Sequence, residues 1–344
     1  MDTVIATWFV ADQPGQETQF PQMNQLSSTA AFQRVYWRCI AVFFATSVRV
    51  NPGRRHVLFT NTSVPADIAG LLAGWGVETV GLPFRRRPPR GYHGSFGNQF
   101  YIFDILDHAA GWGQLVKGRP ARLIVLDSDC VWLRPADAME AAIDAGGVLA
   151  YRIAYDEQQP VNGASRRDMK AVAEAVWGRT LPQVPDYCGG EIFAARTEAL
   201  PGLMRSFDTL WQANLERWRA GQPKLNEEAH FLSLIYLEGG YPPASANRFI
   251  RRIWTNFRSR NSSADDVALT VWHLPSEKKT GLADLYGQVV RPDSAFWTVP
   301  VDESYVRLLG RAIGIPRRSA FKFVRDLALK LREKSARLVP VSAR

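Results

Sequence analysis

The chain is poor in residues that would staple it or ligate metal through sulfur. Three cysteines, Cys39, Cys130 and Cys188, occur in 344 residues, far apart and without a Cys-x-x-Cys pair. That spacing argues against a thiolate zinc site and against a disulfide scaffold. Long hydrophobic runs are missing too. The longest uncharged apolar stretch, residues 39–48, is about half of the ~20 residues a membrane-crossing helix needs. The opening MDTVIATWFV has neither the basic flank nor the small-residue cleavage site of a secretory leader. Internal repeats and low-complexity tracts are absent as well. With 46% hydrophobic and 22% charged residues, the composition is that of a globular protein. The expectation is a soluble, cytoplasmic one.

Charge is present but unevenly spread. The formal net charge is +9. Residues 317–344 hold nine basic and two acidic residues, +7, which leaves 33 basic against 31 acidic, +2, for residues 1–316. A nucleic-acid binder carries its basic footprint on a folded face, so this division predicts no nucleic-acid partner. The chain reads as a body over 1–316 and a basic amphipathic tail over 317–344. Ala320, Val324, Leu327, Ala328 and Leu331 follow helical spacing, bordered by Phe321 and Phe323, while Lys322, Arg325, Arg332 and Lys334 fall mostly elsewhere on the wheel. Such a helix either lies on an anionic membrane surface, such as the inner face of the plasma membrane, or packs on the body with its charges solvated.

Within the body, strand-like runs alternate with helical patterns, which is the signature of an α/β sheet flanked by helices. Strands are expected over 3–10, 56–60, 78–82, 122–126, 147–151, 192–195 and 267–272. Helices are expected over 28–48, capped by Ser27 or Ser28, and over 66–75, 99–109, 203–220 and 227–237. The prolines of Arg85–Arg90 (RRRPPR) mark a loop.

The most informative segment is LIVLDSDCVWLRP, residues 123–135. Four aliphatic residues make a strand buried on both faces. Asp127 and Asp129 follow at its carboxyl end, where open α/β sheets bind ligands. Two carboxylates one residue apart can reach one divalent cation and a ribose hydroxyl, and hard oxygen ligands suit magnesium or manganese bridging phosphates.

Here the chain resembles the GT-A superfamily of nucleotide-sugar-dependent glycosyltransferases. Asp127-Ser128-Asp129 is similar to that superfamily's DxD motif, followed by Val131-Trp132-Leu133-Arg134-Pro135. Phe96-Gly97-Asn98-Gln99-Phe100-Tyr101 resembles the opening of the helix before the DxD strand. Tyr187-Cys188-Gly189-Gly190-Glu191-Ile192-Phe193 and Asn226-Glu227-Glu228-Ala229-His230-Phe231 resemble the acceptor-side segments. Trp272-His273-Leu274 with Lys278, Lys279 and Gly281 resembles the late segment that closes on the diphosphate. The basic residue usual in the helix before the DxD strand is not evident. The resemblance implies a GT-A-like, Rossmann-like mixed sheet flanked by helices. It implies a hexosyltransferase-like enzyme moving sugar from a nucleotide-diphosphate donor to a glycan or lipid-linked acceptor.

On this reading Asp127, Asp129 and His273 hold the cation, with manganese ahead of magnesium because imidazole joins the set. Lys278 or Lys279 pairs with the phosphates. Glu191, after a glycine pair that lets a ligand approach closely, binds sugar hydroxyls, acts as base or stabilises an oxocarbenium-like state. Asp186 and Glu228 are alternates for that role. Asn98 either contacts the nucleotide or caps a helix.

Two other readings compete. A strand followed by DxDxV also resembles haloacid-dehalogenase-type phosphatases, in which Asp127 would be the nucleophile and Asp129 the acid–base. That family's later strand-borne Ser or Thr, Lys and acidic strand end are not in order here, since Thr60 precedes the DxD and Asp265-Asp266 precede their apolar strand. The last reading is a non-catalytic nucleotide-sugar-binding or membrane-adapter protein.

Overall fold

A computed structural model describes residues 2–12, 15–18, 25–112 and 122–338. The expected mixed sheet flanked by helices is present. The main sheet runs β3 (Glu78–Gly81), β2 (Arg55–Thr60), β1 (Thr3–Phe9), β4 (Arg122–Leu126), β9 (Ile192–Arg196), β6 (Val148–Leu149). The first four are parallel, and β9 is antiparallel to both its neighbours.

Period-two alternation explains why β4 is apolar throughout 123–126. Leu123 and Val125 join the core on one face of the sheet, and Ile124 and Leu126 join the core on the other. Helices α1 (Ala30–Val50) and α2 (Ala66–Gly74) follow β1 and β2 as crossovers of the parallel half. Helix α1 also carries the apolar run 39–48, most of it fully buried. A helix apolar all round is a core helix. Its polar residues serve the neighbouring chain: Thr46 Oγ1 accepts the Trp132 N–H at 3.2 Å and Asn51 Oδ1 the Ala136 N–H at 2.7 Å. Among the described residues no helix is long and apolar enough to cross a membrane.

A second, three-stranded sheet runs β10 (Ile250–Arg252), β11 (Val271–His273), β5 (Cys130–Trp132), and β7 (Arg152–Ile153) pairs with β8 (Tyr187–Cys188). These short strands lie largely outside the sequence expectation because each is too brief to show a period. Between the strands lie α3 (Tyr101–Ala110), α4 (Asp137–Gly146), α5 (Arg166–Trp177), α6 (Leu200–Arg219) and α7 (Glu228–Glu238). After β11 come α8 (Gly281–Val289), α9 (Ala295–Thr298), α10 (Glu303–Ile313) and α11 (Ala320–Leu338).

Local chemistry moved several boundaries. Thr29, not Ser27 or Ser28, caps α1 through the Phe32 N–H at 3.3 Å. The expected strand 267–272 begins only at Val271, because a reciprocal Ser263–Asp266 capping box winds residues 264–268 into a 3₁₀ turn. The helix expected from Gln99 opens as a 3₁₀ turn over 97–100. The RRRPPR segment is a loop, but not a solvated one throughout: Arg86 pairs with buried Asp104 at 3.0 Å and Arg87 with Asp12 at 2.7 Å.

Helix α11 meets the preceding residues through its polar side. Lys322 is buried, with Nζ 2.8 Å from Glu277 and 3.0 Å from Asp326. Arg325 pairs with Asp284, and Arg318 donates to the Thr255 carbonyl. Glu277 additionally accepts from Thr280 Oγ1 and the Gly281 N–H. Removing one partner of a buried ion pair leaves an uncompensated charge, at about 3–5 kcal/mol. Lys322→Ala is therefore expected to lower the free energy of urea unfolding by that amount, and Glu277→Gln added to it to recover part of the loss. A chain ending at 316 is expected to melt below the parent by circular dichroism.

Candidate active site

The site lies where the chain passes from the large sheet to the small one. Leu126 ends β4, residues 127–129 turn with the Cys130 N–H donating to the Asp127 carbonyl at 3.0 Å, and β5 begins. Each side of the turn is fixed by a strand partner. Leu126 pairs with Ile192, and the Asp127 N–H donates to the Glu191 carbonyl at 3.1 Å. Cys130 pairs with His273, and the Leu274 N–H donates to the Asp129 carbonyl at 3.1 Å. Arg252 lies across from His273 on the other side of β11. Two antiparallel ladders and one parallel one thus bring residues from four distant segments to one point.

There, His273 Nε2 stands 3.5 Å from Asp127 Oδ2 and 3.4 Å from Asp129 Oδ1. One ligand atom from each of the three residues lies within 4.8 Å of the others. Two carboxylate oxygens and an imidazole nitrogen converging in this way could hold a divalent metal ion. Lys278 Nζ occupies the second oxygen of Asp129, leaving Oδ1 toward the histidine. His273 Nδ1 faces Glu191 Oε1 at 3.4 Å. A carboxylate behind a ligating histidine orients the ring.

The charges of this cluster are strongly interdependent. Burial alone would raise the Asp129 carboxyl, but Lys278 and His273 more than offset it and hold Asp129 well below the usual carboxylate range. Asp127, 22% exposed at its side chain, is pushed up to about 7 by desolvation, against the pull of His273 and with Asp129 and Glu191 adding to the rise. His273 would lose its proton through burial; Asp129 and Glu191 reverse that and bring it up to about 9. Burial would likewise raise Glu191, but Arg252 and His273 draw it down to about 2.

A cleft of about 320 Å³ opens over the cluster. Asp127, Asp129, His273, Lys278, Glu191, Glu228 and Asn98 all line it, so seven of the expected site residues meet in one place. Asp186 and Lys279 do not. Asp186 faces Arg166 at 3.2 Å, and Lys279 lines a second cleft.

Asn98 caps no helix. It sits inside the 3₁₀ turn, and its buried Oδ1 has no hydrogen-bond partner among the described residues. The cleft rim is aromatic, with Trp8, Phe9, Phe32, Tyr36 and Phe96. Phe96 and Asn162, the non-glycine residues with positive φ among those described, both line it. Strained backbone of this kind gathers at ligand sites.

Glu191 is placed differently from the expectation of a carboxylate free to meet sugar. Both its oxygens accept from the Arg252 guanidinium at 2.8 Å, and its side chain is fully buried. Arg252 was not foreseen; the available signal was an arginine between the apolar residues Ile250 and Ile253, next to Arg251.

The glycine pair before Glu191 also has another reason than a bent backbone, since neither glycine has positive φ. A Cβ on Gly189 would strike the Glu191 carboxylate, and a Cβ on Gly190 the Glu228 carboxylate. Glu228 is buried with Oε2 unpartnered among the described residues. Desolvation first, then Glu227, Asp127 and Glu191, push its acid well above the usual range. Its neighbour Glu227 is occupied by Tyr187 Oη at 2.7 Å and by the Asn162 amide.

Arg252→Ala strands the buried Glu191 carboxylate and is expected to cost about 3–5 kcal/mol in urea unfolding, with Glu191→Gln added to it restoring part of the loss. Because Glu191 is depressed from 4.5 to about 2, the pair's stabilisation is complete above pH 4.5 and disappears as pH falls through about 2. The stability gap between parent and Arg252→Ala is expected to close over that window in an acid titration.

No protein-family model and no curated protein sequence matches the chain. Among solved structures the chain is similar to the apo form of mouse xyloside xylosyltransferase 1, at 13% identity and a TM-score of 0.45, covering 79% of this chain and 97% of that one.

Proposed function

We propose that the protein is a metal-dependent glycosyltransferase that moves a sugar, of the hexosyl class, from a nucleoside-diphosphate donor to a glycan or lipid-linked acceptor. The observation that carries the reading is the convergence of Asp127, Asp129 and His273, with Lys278, beneath one cleft at the carboxyl ends of β1 and β4. A divalent cation held by the first three would supply positive charge to the diphosphate as it leaves.

The chain's own groups complete the task. Lys278 places a second positive charge beside Asp129, on the side where phosphate oxygens would lie. Glu191, clamped by Arg252, keeps the His273 ring turned toward the aspartates and acts as a positioning residue. The aromatic rim offers flat faces to a nucleobase, and the unpartnered Asn98 Oδ1 offers it an acceptor. Glu228, whose acid is pushed upward by desolvation and by Glu227, has one unengaged carboxyl oxygen that would meet a sugar hydroxyl.

The phosphatase reading is less well supported by the geometry, since Lys278 pairs with Asp129 and not with Asp127, the would-be nucleophile. Incubation with a panel of nucleotide sugars, with and without manganese, separates the two, alongside p-nitrophenyl phosphate. Manganese-dependent release of nucleoside diphosphate is expected, and Asp129→Asn is expected to reduce it more than about tenfold with the fold retained. Turnover of the phosphate ester alone, with a trapped acyl phosphate on Asp127, would replace this reading by the phosphatase.

Burial and Glu227 push the Glu228 acid upward, and glutamine keeps the shape and hydrogen-bond donor of its protonated form. Glu228→Gln is expected to hydrolyse the donor within about threefold of the parent and Glu228→Ala to lose more than about tenfold. Equal losses in the two variants would instead mean that ionised Glu228 is required.

A further inference from the structure

Helix α11 is amphipathic the wrong way round for a helix packed on a body. Its inward face is polar: Lys322 and Asp326 are buried, and Arg325 is half-buried. At 100° per residue, Ala320, Phe321, Val324, Leu327, Ala328 and Leu331 share an arc of about 120°, and all six are exposed. Phe321 is 77%, Val324 64%, Leu331 56% and Leu327 40% exposed. The ion pairs to Glu277 and Asp284 fix this orientation. The helix cannot roll its apolar face inward without stripping Lys322 of Glu277 and Arg325 of Asp284.

Beside that face lies a second cleft of about 560 Å³, lined by Arg258, Lys279, Arg318, Lys330, Phe257 and Trp254. Arg318 and Lys330 hold their charges 4.4 and 5.0 Å from the Phe257 ring, which itself meets Phe323 at 5.3 Å. The cleft's two acids, Glu277 and Asp326, are already engaged by Lys322. The lining holds four basic and two acidic side chains, one of the acids, Asp326, also facing Arg318 at 3.8 Å, so the cleft is net positive. Trp254 lines this cleft and the catalytic one alike.

We propose that this second cleft binds the phosphate-bearing headgroup of an anionic lipid while the exposed face of α11 lies in the acyl boundary beside it. Apolar residues flanked by cations on an exposed helix suit that boundary, where the side chains enter the lipid and the charges meet phosphates. Charge argues against a second copy of the chain as the occupant, because 317–344 carries +7 and two such segments face to face repel. A surface docked in this way also sets Trp254 between the lipid headgroup and the catalytic cleft. That deepens the proposed transferase by giving its acceptor the chemistry of a phosphate-bearing lipid, and to that extent rests on that reading.

The test uses the full chain and vesicles of phosphatidylcholine with or without phosphatidylglycerol. Sedimentation with the anionic vesicles only, abolished by high salt, is expected. Phe321→Asp/Leu327→Asp and, separately, Arg258→Glu/Lys330→Glu are each expected to weaken it about tenfold, with unchanged melting and unchanged lipid-free donor hydrolysis. Glycerol phosphate is expected to compete with the vesicles if the cleft reads the headgroup. Inorganic phosphate competing equally would mean that the cleft takes free phosphate and would overturn the lipid assignment. Failure of the parent to sediment would overturn the proposal, as would a drop in light-scattering mass in the Phe321/Leu327 variant, which would make the face a contact between copies. Donor hydrolysis without vesicle binding leaves the transferase reading standing; vesicle binding without hydrolysis removes that reading and keeps the lipid site.

Discussion

The constraint on which the site depends is the passage of the chain from one sheet to another within three residues. Asp127 directly follows Leu126, the last residue paired in the large sheet, and Asp129 directly precedes Cys130, the first paired in the small one. A turn held by backbone hydrogen bonds on both flanks has little freedom, so the two carboxylates are fixed relative to each other before any ligand arrives. The same ladders deliver Glu191, His273 and Arg252, each as the residue across from the turn or one strand further on.

Holding this many carboxylates out of water requires compensation, since an unpaired buried charge is costly. The cluster solves it unequally. Asp129 has Lys278 and His273, and Glu191 has Arg252 on both oxygens. Among the described residues no lysine or arginine pairs with Asp127 or Glu228, and both acids are shifted upward. The imbalance is electrostatic room for a cation: adding positive charge between Asp127 and Asp129 would lower Asp127 again. Gly189 and Gly190 belong to the same arrangement, because the space a side chain would fill is taken by the two glutamates.

The C-terminal helix is tied to this centre by sequence adjacency. Glu277, which receives Lys322, directly precedes Lys278, which reaches Asp129. The basic tail is thus neither a free appendage nor an ordinary packed helix. Lys322 and Arg325 are spent on Glu277 and Asp284 while Phe321, Val324, Leu327 and Leu331 face outward, the reverse of what burial of apolar surface would produce in isolation.

What the sequence determined by itself is local. Uniform aliphatic character over 123–126 marked a strand buried on both faces, and the carboxylates at its end followed from reading one segment. Asn98, His273 and Lys278 were legible as candidates from residue type and order, and they line the cleft. Tertiary structure alone decided the rest. Arg252 and Glu191 are 61 positions apart and meet because β11 lies between β5 and β10 in the small sheet. Asp186 is only five residues from Glu191, yet it turns to Arg166. Helical periodicity located the apolar stripe of α11 but not its direction, because a stripe records which residues share a face and not whether that face turns toward the body or away from it. That choice was made by Glu277 and Asp284, which claim the opposite side of the helix with ion pairs.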